Sequence, residues 1–212
     1  MRKTFAAVVL AMFFVSAGAH AADRINSDYR GADAGTLIFS TGSVFPMNFT
    51  FYYRKAGQGT DPTSIFGAGK IDCACVGFWH AQMSDPDYVG PPETGKVIVQ
   101  HLPPGDYEVY TYGFSGTIIV ASVSWSPRKV FSLPFSIKPG QATYIGNFVR
   151  GPSLGTKLEP TLGAAGFFMI SDKHERDIEI ARRRDPGLPP VTVSVTDVSN
   201  MGDPMIFASD PR

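Results

Sequence analysis

Hydrophobic and polar positions alternate along much of this chain with the period of a half-buried β-strand. Between residues 45 and 53, Phe45, Met47, Phe49, Phe51 and Tyr53 fall on one face, and Pro46, Asn48, Thr50 and Tyr52 on the other. Residues 130–137 repeat the pattern, with Phe131, Leu133, Phe135 and Ile137 set against Ser132, Pro134 and Ser136. Pro134 has no N–H to give a ladder, which predicts an edge strand or a bulge at that point. Shorter runs at 36–40, 70–79, 117–125, 142–149, 166–170 and 191–195 predict further strands. The clearest hairpin spans 96–114, where two β-rich runs flank Leu102-Pro103-Pro104-Gly105-Asp106. Proline sets φ for the second position of a turn, and glycine supplies the positive φ that follows. On the outgoing run, strict alternation puts Tyr107, Val109 and Thr111 on one face and Glu108, Tyr110 and Tyr112 on the other. A second turn, Lys138-Pro139-Gly140-Gln141, predicts that 130–137 pairs with 142–149.

The period changes once. Asp172-Lys173-His174-Glu175 has the acceptor-x-x-Glu spacing of a capping box. Glu175, Asp177 and Glu179 come early and Arg182, Arg183 and Arg184 late, as a helix macrodipole favours. Asp185-Pro186-Gly187 ends the segment, so one short helix is expected, with Ile178, Ala181 and His174 toward the sheet. Glu175 and Asp177, two apart, diverge on a helix and read as solvated charges. Residues 56–69, 83–94 and 150–162 read as loops, and 201–212 as a tail with little to bury. Many short strands joined by close turns imply a mainly β protein, an antiparallel β-sandwich with one short C-terminal helix. Pressing the apolar faces of two sheets together is worth about 25 cal/mol per Å² of apolar surface removed from water. A single domain over 35–200 is expected, after a polar leader at 22–34.

The first residues change the picture of where the chain works. Arg2 and Lys3, an apolar run at 5–15 and the small-x-small triplet Ala19-His20-Ala21 have the three parts of a secretory signal. Residues 1–21 are therefore expected to be removed on export, leaving a periplasmic or secreted protein without a lipid-accepting cysteine near the cut. No later stretch has the length of a transmembrane helix, which needs about 20 apolar residues. The 19 basic and 19 acidic residues balance, and loss of Arg2 and Lys3 leaves only a slight acidic excess. That argues against nucleic acid or an anionic membrane surface as partner. With 22 glycines and 17 prolines the chain is too rich in turn formers for a helical bundle, and 43% hydrophobic residues argue against disorder.

Candidate chemistry is sparse. Cys73 and Cys75, with His80 and Met83 downstream, form the one constellation to weigh. In an exported protein paired cysteines suggest a disulfide. Two positions along a strand, however, set Cβ atoms about 6.6 Å apart, against the roughly 3.5–4.5 Å a disulfide spans. A Cys73–Cys75 bridge thus needs a bend at Ala74. Thiolates with an imidazole and a thioether also suit a soft ion such as Cu(I), provided His80 and Met83 fold back onto the strand end. Plain structural thiols lead these readings, and no cofactor is implied. The four histidines do not cluster, and neither a Gly-x-Ser-x-Gly elbow nor a His-Glu-x-x-His pair is present. Tyr107, Tyr110 and Tyr112 are the candidates for a binding surface, because tyrosine is enriched in interfaces.

The Leu102-Pro103-Pro104-Gly105-Asp106-Tyr107 turn with its alternating strand resembles the signature of transthyretin-like sandwiches. It is also similar to carboxypeptidase-regulatory-like domains and to uncharacterised exported bacterial β-sandwich proteins. Pro139-Gly140, Tyr144-Ile145-Gly146 and the helix at 172–184 extend that likeness, which covers roughly residues 96–195. It implies a sandwich of transthyretin-like or immunoglobulin-like kind, generally non-catalytic, and carries over no functional residues. The expectation is an exported, non-catalytic module that binds a protein, glycan or small ligand at the cell envelope. The alternative is an exported soft-metal binder using Cys73, Cys75, His80 and Met83.

Overall fold

A computed structural model describes residues 28–43, 48–57, 69–73, 86–90, 93–118, 121–125, 131–151, 167–198 and 206–208. The alternating runs become strands in two sheets. The first sheet contains β1 (Gly35–Ser43), β4 (Tyr88–Val89), β5 (Thr94–Leu102), β9 (Ala142–Gly151), β10 (Phe167–Ser171), β11 (Val191–Val193) and β12 (Ile206–Ala208). Its order is β12-β10-β9-β1-β5-β4, with β11 also on β9. The second contains β2 (Asn48–Lys55), β3 (Gly69–Cys73), β6 (Gly105–Ile118), β7 (Ala121–Trp125) and β8 (Leu133–Ile137), in the order β3-β2-β6-β7 with β8 also on β6. The helix α1 (His174–Arg184) lies against β1, β5 and β9.

The two sheets press their apolar faces together. Leu37 and Phe39 of β1, Ile145 and Phe148 of β9, and Phe168 and Ile170 of β10 meet Phe51, Tyr53, Tyr107, Val109, Tyr112, Leu133 and Phe135 in one buried cluster. Phe51 is its hub, with ring centroids 4.3 Å from Phe168, 4.9 Å from Phe148 and 5.8 Å from Tyr112. The first sheet is covered on its other side as well. Ile38, Val97, Ala142 and Tyr144 pack there against Ile180 and Ala181 of the helix. This is the mainly β, two-sheet arrangement with one short helix that the alternation predicts.

The antiparallel expectation holds in the second sheet but not in the first. There β1 runs parallel to β9, β11 parallel to β9, and β12 parallel to β10. Hairpin turns fix the direction of strands adjacent in sequence, whereas these parallel pairs join strands that no short turn connects. Neither predicted hairpin forms: β5 and β6, joined through Pro103-Pro104, lie in different sheets, and so do β8 and β9, joined through Pro139-Gly140, because each turn carries the chain from one layer to the other instead of pairing its flanking strands. Three smaller expectations also change. The tail supplies β12, the loop expected over 83–94 contains β4, and β3 is described only as far as Cys73. Pro134 behaves as expected, since β8 pairs with β6 alone among the described residues.

Each sheet has one long strand whose edge is shared by two short ones, and each long strand carries a bulge where the partner changes. On β6, Gly105–Val109 pairs with β8 and Phe114–Ile118 with β7. Opposite, the register with β2 shifts between Tyr52↔Thr111 and Tyr53↔Val109, which leaves Tyr110 as the extra residue. On β9, Ala142–Tyr144 pairs with β11 and Asn147–Gly151 with β10, while the register with β1 jumps from Ile38↔Tyr144 to Ser40↔Asn147. A bulge moves every later side chain to the opposite face. Tyr112 therefore joins Tyr107 and Val109 in the inter-sheet core rather than lying across the sheet from them. Likewise Tyr144 and Asn147, three apart, share the helix side of the first sheet.

Gly146 makes the second bulge possible with a φ of +127°, a region L side chains rarely adopt. A Cβ there would stand 3.3 Å from Ile170 Cγ2 and 3.5 Å from Val195 Cγ1. Gly146→Ala is expected to cost about 1–3 kcal/mol in chemical denaturation. An unchanged midpoint would show that the bulge needs no glycine.

Candidate functional site

The helix is a poor apolar anchor. Its buried residues are Asp177, Ile178, Ile180 and Ala181, so one of its four inward side chains is a carboxylate. Asp177 stands one turn on from His174 and one turn before Ala181, on the stripe that faces the sheet. It is fully buried, and the expectation that it is solvated is wrong. The reason is that Ser40 and Tyr144 come up from the sheet beneath it. Tyr144 donates its hydroxyl to Asp177 Oδ2 at 2.8 Å, and Ser40 Oγ forms a short hydrogen bond to the same oxygen. Arg176 Nε donates to the other oxygen, Oδ1, at 2.8 Å.

Around this carboxylate the cluster extends across four elements. Asn147 Oδ1 lies 2.7 Å from Ser40 Oγ, whose single hydroxyl proton it shares with Asp177, and accepts from the Tyr88 hydroxyl at 3.2 Å. Asn147 Nδ2 donates to Glu93 Oε1 at 3.1 Å. Arg176 Nη1 donates to the same Glu93 oxygen at 2.7 Å, and its guanidinium lies 3.6 Å over the centre of the Tyr88 ring. One cation is thus bonded to two carboxylates and stacked on an aromatic face. Burial alone would lower the Arg176 pKa, but its bonds to Asp177 and Glu93 outweigh that and push it further up. Burial, then the charge of Asp177 and its hydrogen bond, raises Tyr144; burial and then Glu93 raise Tyr88.

The start of the helix is tied into the same set. Lys173 N–H donates to the Tyr144 hydroxyl at 3.2 Å, so this phenol accepts from the helix start and donates to Asp177. The capping box does not form: Glu175 is exposed, and the Asp172 carboxylate accepts the His174 N–H at 3.0 Å. At the far end Arg184 Nη1 donates to the Val97 carbonyl at 2.7 Å and pairs with Asp87. Arg182 and Arg183 are exposed.

The arrangement can hold a helix. Ser40 has the Asp177 carboxylate beside it as a base, yet Ser40, Asn147 and Asp177 are all 0% exposed. Among the described residues no three His, Cys, Asp or Glu side chains converge as a metal site. A cavity between the sheets, lined by Val109, Leu133, Phe135, Ile145 and Phe148, has about 10 Å³, the room of one water.

The residues expected to carry function fall elsewhere. Tyr107, Tyr110 and Tyr112 are buried and offer no surface to a partner. Tyr107 stacks on Phe135 at 5.5 Å and donates its hydroxyl to the Pro103 carbonyl at 2.7 Å, closing the turn at Gly105. Tyr112 packs at 4.9 Å from Phe168, and Tyr110 lies beneath the Arg54 guanidinium at 4.4 Å, beside the Arg54–Glu108 pair. The bulge at Tyr110 turns Tyr112 inward, and Arg54 covers Tyr110. Cys73 ends β3 opposite Phe49, while Cys75, His80 and Met83 lie outside the described residues. Sequence reading missed Ser40, Tyr88, Glu93, Tyr144, Asn147, Arg176 and Asp177. Two signals were present: the 174, 177, 178, 181 spacing, and a serine directly after Leu37-Ile38-Phe39 with an asparagine directly before Phe148-Val149.

The site therefore defines a class no finer than a mainly β, two-sheet protein with a helix latched by buried polar groups. No protein-family model matches the chain, and no curated protein matches it. Among solved structures it is similar to a leucine-rich repeat protein from Bacteroides thetaiotaomicron VPI-5482, at 10% identity and a TM-score of 0.32. That match covers 56% of this chain and 14% of the other, and a likeness so slight carries no argument. No helix among the described residues is long and apolar enough to cross a membrane.

Arg176→Ala leaves Asp177 and Glu93 without their cation and is expected to cost about 3 kcal/mol, read by denaturation. A loss below about 0.5 kcal/mol would reduce the cluster to a surface ion pair. Alkali should act through the phenols. Burial raises Tyr53 as it does Tyr88 and Tyr144, so these groups keep their protons when folded. Their contribution to stability is complete below about pH 10, where unfolded tyrosines are also protonated, and is lost as pH rises beyond it. Arg150 opposes them: burial lowers it to about 10, so the folded chain releases a proton the unfolded chain keeps. Three phenols against one guanidinium give a Tm that falls as pH rises from about 10 to 12. A level Tm with tyrosinate absorbance rising in the folded state would show that the phenols are not protected.

Proposed function

We propose that the chain is an exported, non-catalytic β-sandwich module that binds a protein, glycan or small ligand at the cell envelope. One observation carries the non-catalytic part. The polar side chains best placed for chemistry, Ser40, Asn147 and Asp177, are wholly buried and bonded to one another and to Arg176. Such a set spends its hydrogen-bonding capacity on holding α1 to the sheet. Support for export comes from residues 1–21, whose charged start, apolar run and Ala19-His20-Ala21 triplet suit signal cleavage. A two-sheet scaffold with loops at its ends suits binding, since loops on a rigid frame are where recognition concentrates.

Expression from the native start followed by fractionation and intact-mass measurement tests the first part. The expected product is periplasmic or secreted and begins at Ala22; a cell-retained product that still carries residues 1–21 overturns export. The purified protein is then offered chromogenic ester, phosphate and glycoside substrates beside Ser40→Ala and Asp177→Asn. Turnover that either substitution abolishes overturns the non-catalytic reading. Failure of the immobilised protein to retain anything saturably from envelope protein and polysaccharide fractions counts against binding.

A further inference from the structure

The outer edge of β5 is closed in an unusual way. Its inner edge pairs with β1 over all nine residues, Thr94 to Leu102. The backbone groups of Gly95, Val97, Val99 and His101 alternate to the other side. There, Gly95 C=O accepts the Asp87 N–H at 2.9 Å and His101 C=O accepts the Tyr29 N–H at 3.0 Å. Neighbouring backbone thus covers the two ends of the strand, through the two-residue β4 and an isolated bridge at Asp28. Among the described residues, no strand reaches Val97 in the middle. Its N–H donates instead to Asp87 Oδ2 at 2.7 Å, and its C=O accepts from Arg184 Nη1 at 2.7 Å. Arg184 Nη2 and Asp87 Oδ1 are themselves paired, which closes the ring.

We propose that Asp87 and Arg184 form an edge plug that keeps β5 from pairing with the β5 of a second copy of this chain. The carboxylate stands where a neighbouring strand would present a carbonyl, and the guanidinium where it would present an N–H. An open edge needs such cover, because unpaired backbone groups along a β-branched run template strand addition. The run here is Lys96-Val97-Ile98-Val99-Gln100. Its occupant, once the plug is gone, is another β5, since an antiparallel pair about a twofold axis presents the same residues from both sides. The helix latch and the plug share α1: Arg176 fixes its first turn and Arg184 its last, so docking the helix delivers the plug to the edge.

The test compares the wild-type chain with Asp87→Ala/Arg184→Ala and with Arg184→Ala alone, by light scattering after size exclusion over a wide concentration range. Reductant is kept present so that Cys73 and Cys75 cannot cross-link chains. The expected result is at least a doubling of mass for the double variant relative to wild type, increasing with concentration. Amide exchange at Val97 and Val99 should slow in parallel as the pairing forms. Arg184→Ala removes only a half-exposed side chain and frees the Val97 carbonyl, so it should give a weaker dimer of the same kind even if the double variant does not fold. A folded Arg184→Ala variant with wild-type mass throughout overturns the proposal. So does a mass increase without slower exchange at Val97 and Val99, which would place the contact elsewhere.

Discussion

A carboxylate taken out of water costs several kcal/mol unless charge and hydrogen bonds replace its hydration. At Asp177 that replacement comes from three directions: a phenol from β9, a hydroxyl from β1 and a guanidinium from its own helix. None of these donors works alone, and together they fix where α1 sits. The helix brings only Ile178, Ile180 and Ala181 as apolar contacts. A short helix so sparsely apolar could slide on a purely greasy face, whereas directional bonds to Ser40 and Tyr144 leave one register. With the helix placed, Arg184 reaches Val97 and Asp87, and the outer face of the first sheet is covered.

That geometry depends in turn on the bulge in β9. Without the extra residue at 145–146, Asn147 would point into the inter-sheet core and Phe148 toward the helix. The polar cluster and the aromatic core would each lose a member to the wrong environment. The bulge in β6 has the mirrored role on the second sheet, where it delivers Tyr112 to Phe51 and Phe168. Both bulges stand where a long strand passes from one short neighbour to another, and there a local increase of twist eases the mismatch between neighbours. The same device, used once per sheet, sets the registration of the sandwich.

For function, the consequence is that the chemistry of the described residues is turned inward. Tyr107, Tyr110 and Tyr112 serve packing and turn closure, and the Ser40–Asp177 set serves docking. Among the described residues, Arg182 and Arg183 at the end of α1 are exposed.

Much of the architecture was legible in the one-dimensional pattern, because strand alternation and turn chemistry are local. The Leu37-Ile38-Phe39 and Phe131–Ile137 runs, the positive-φ glycines Gly105 and Gly140, the edge position of Pro134 and the limits of α1 all follow from neighbours in sequence. The partner and direction of pairing did not: the turns at Gly105 and Gly140 cross between the sheets where hairpins were expected, and nothing near Thr36 in sequence states that Ala142 will lie beside it in parallel. Nor did the fate of individual polar groups. Asp177 reads as a solvated helix charge until Ser40 and Tyr144 are beneath it, and Tyr112 reads as exposed until one extra residue turns it over. The sequence by itself determined which segments extend, turn and coil, because those choices rest on backbone sterics and side-chain periodicity within a few residues. Only the tertiary structure decided which polar groups are buried together, because desolvation and its compensation belong to groups brought from opposite ends of the chain.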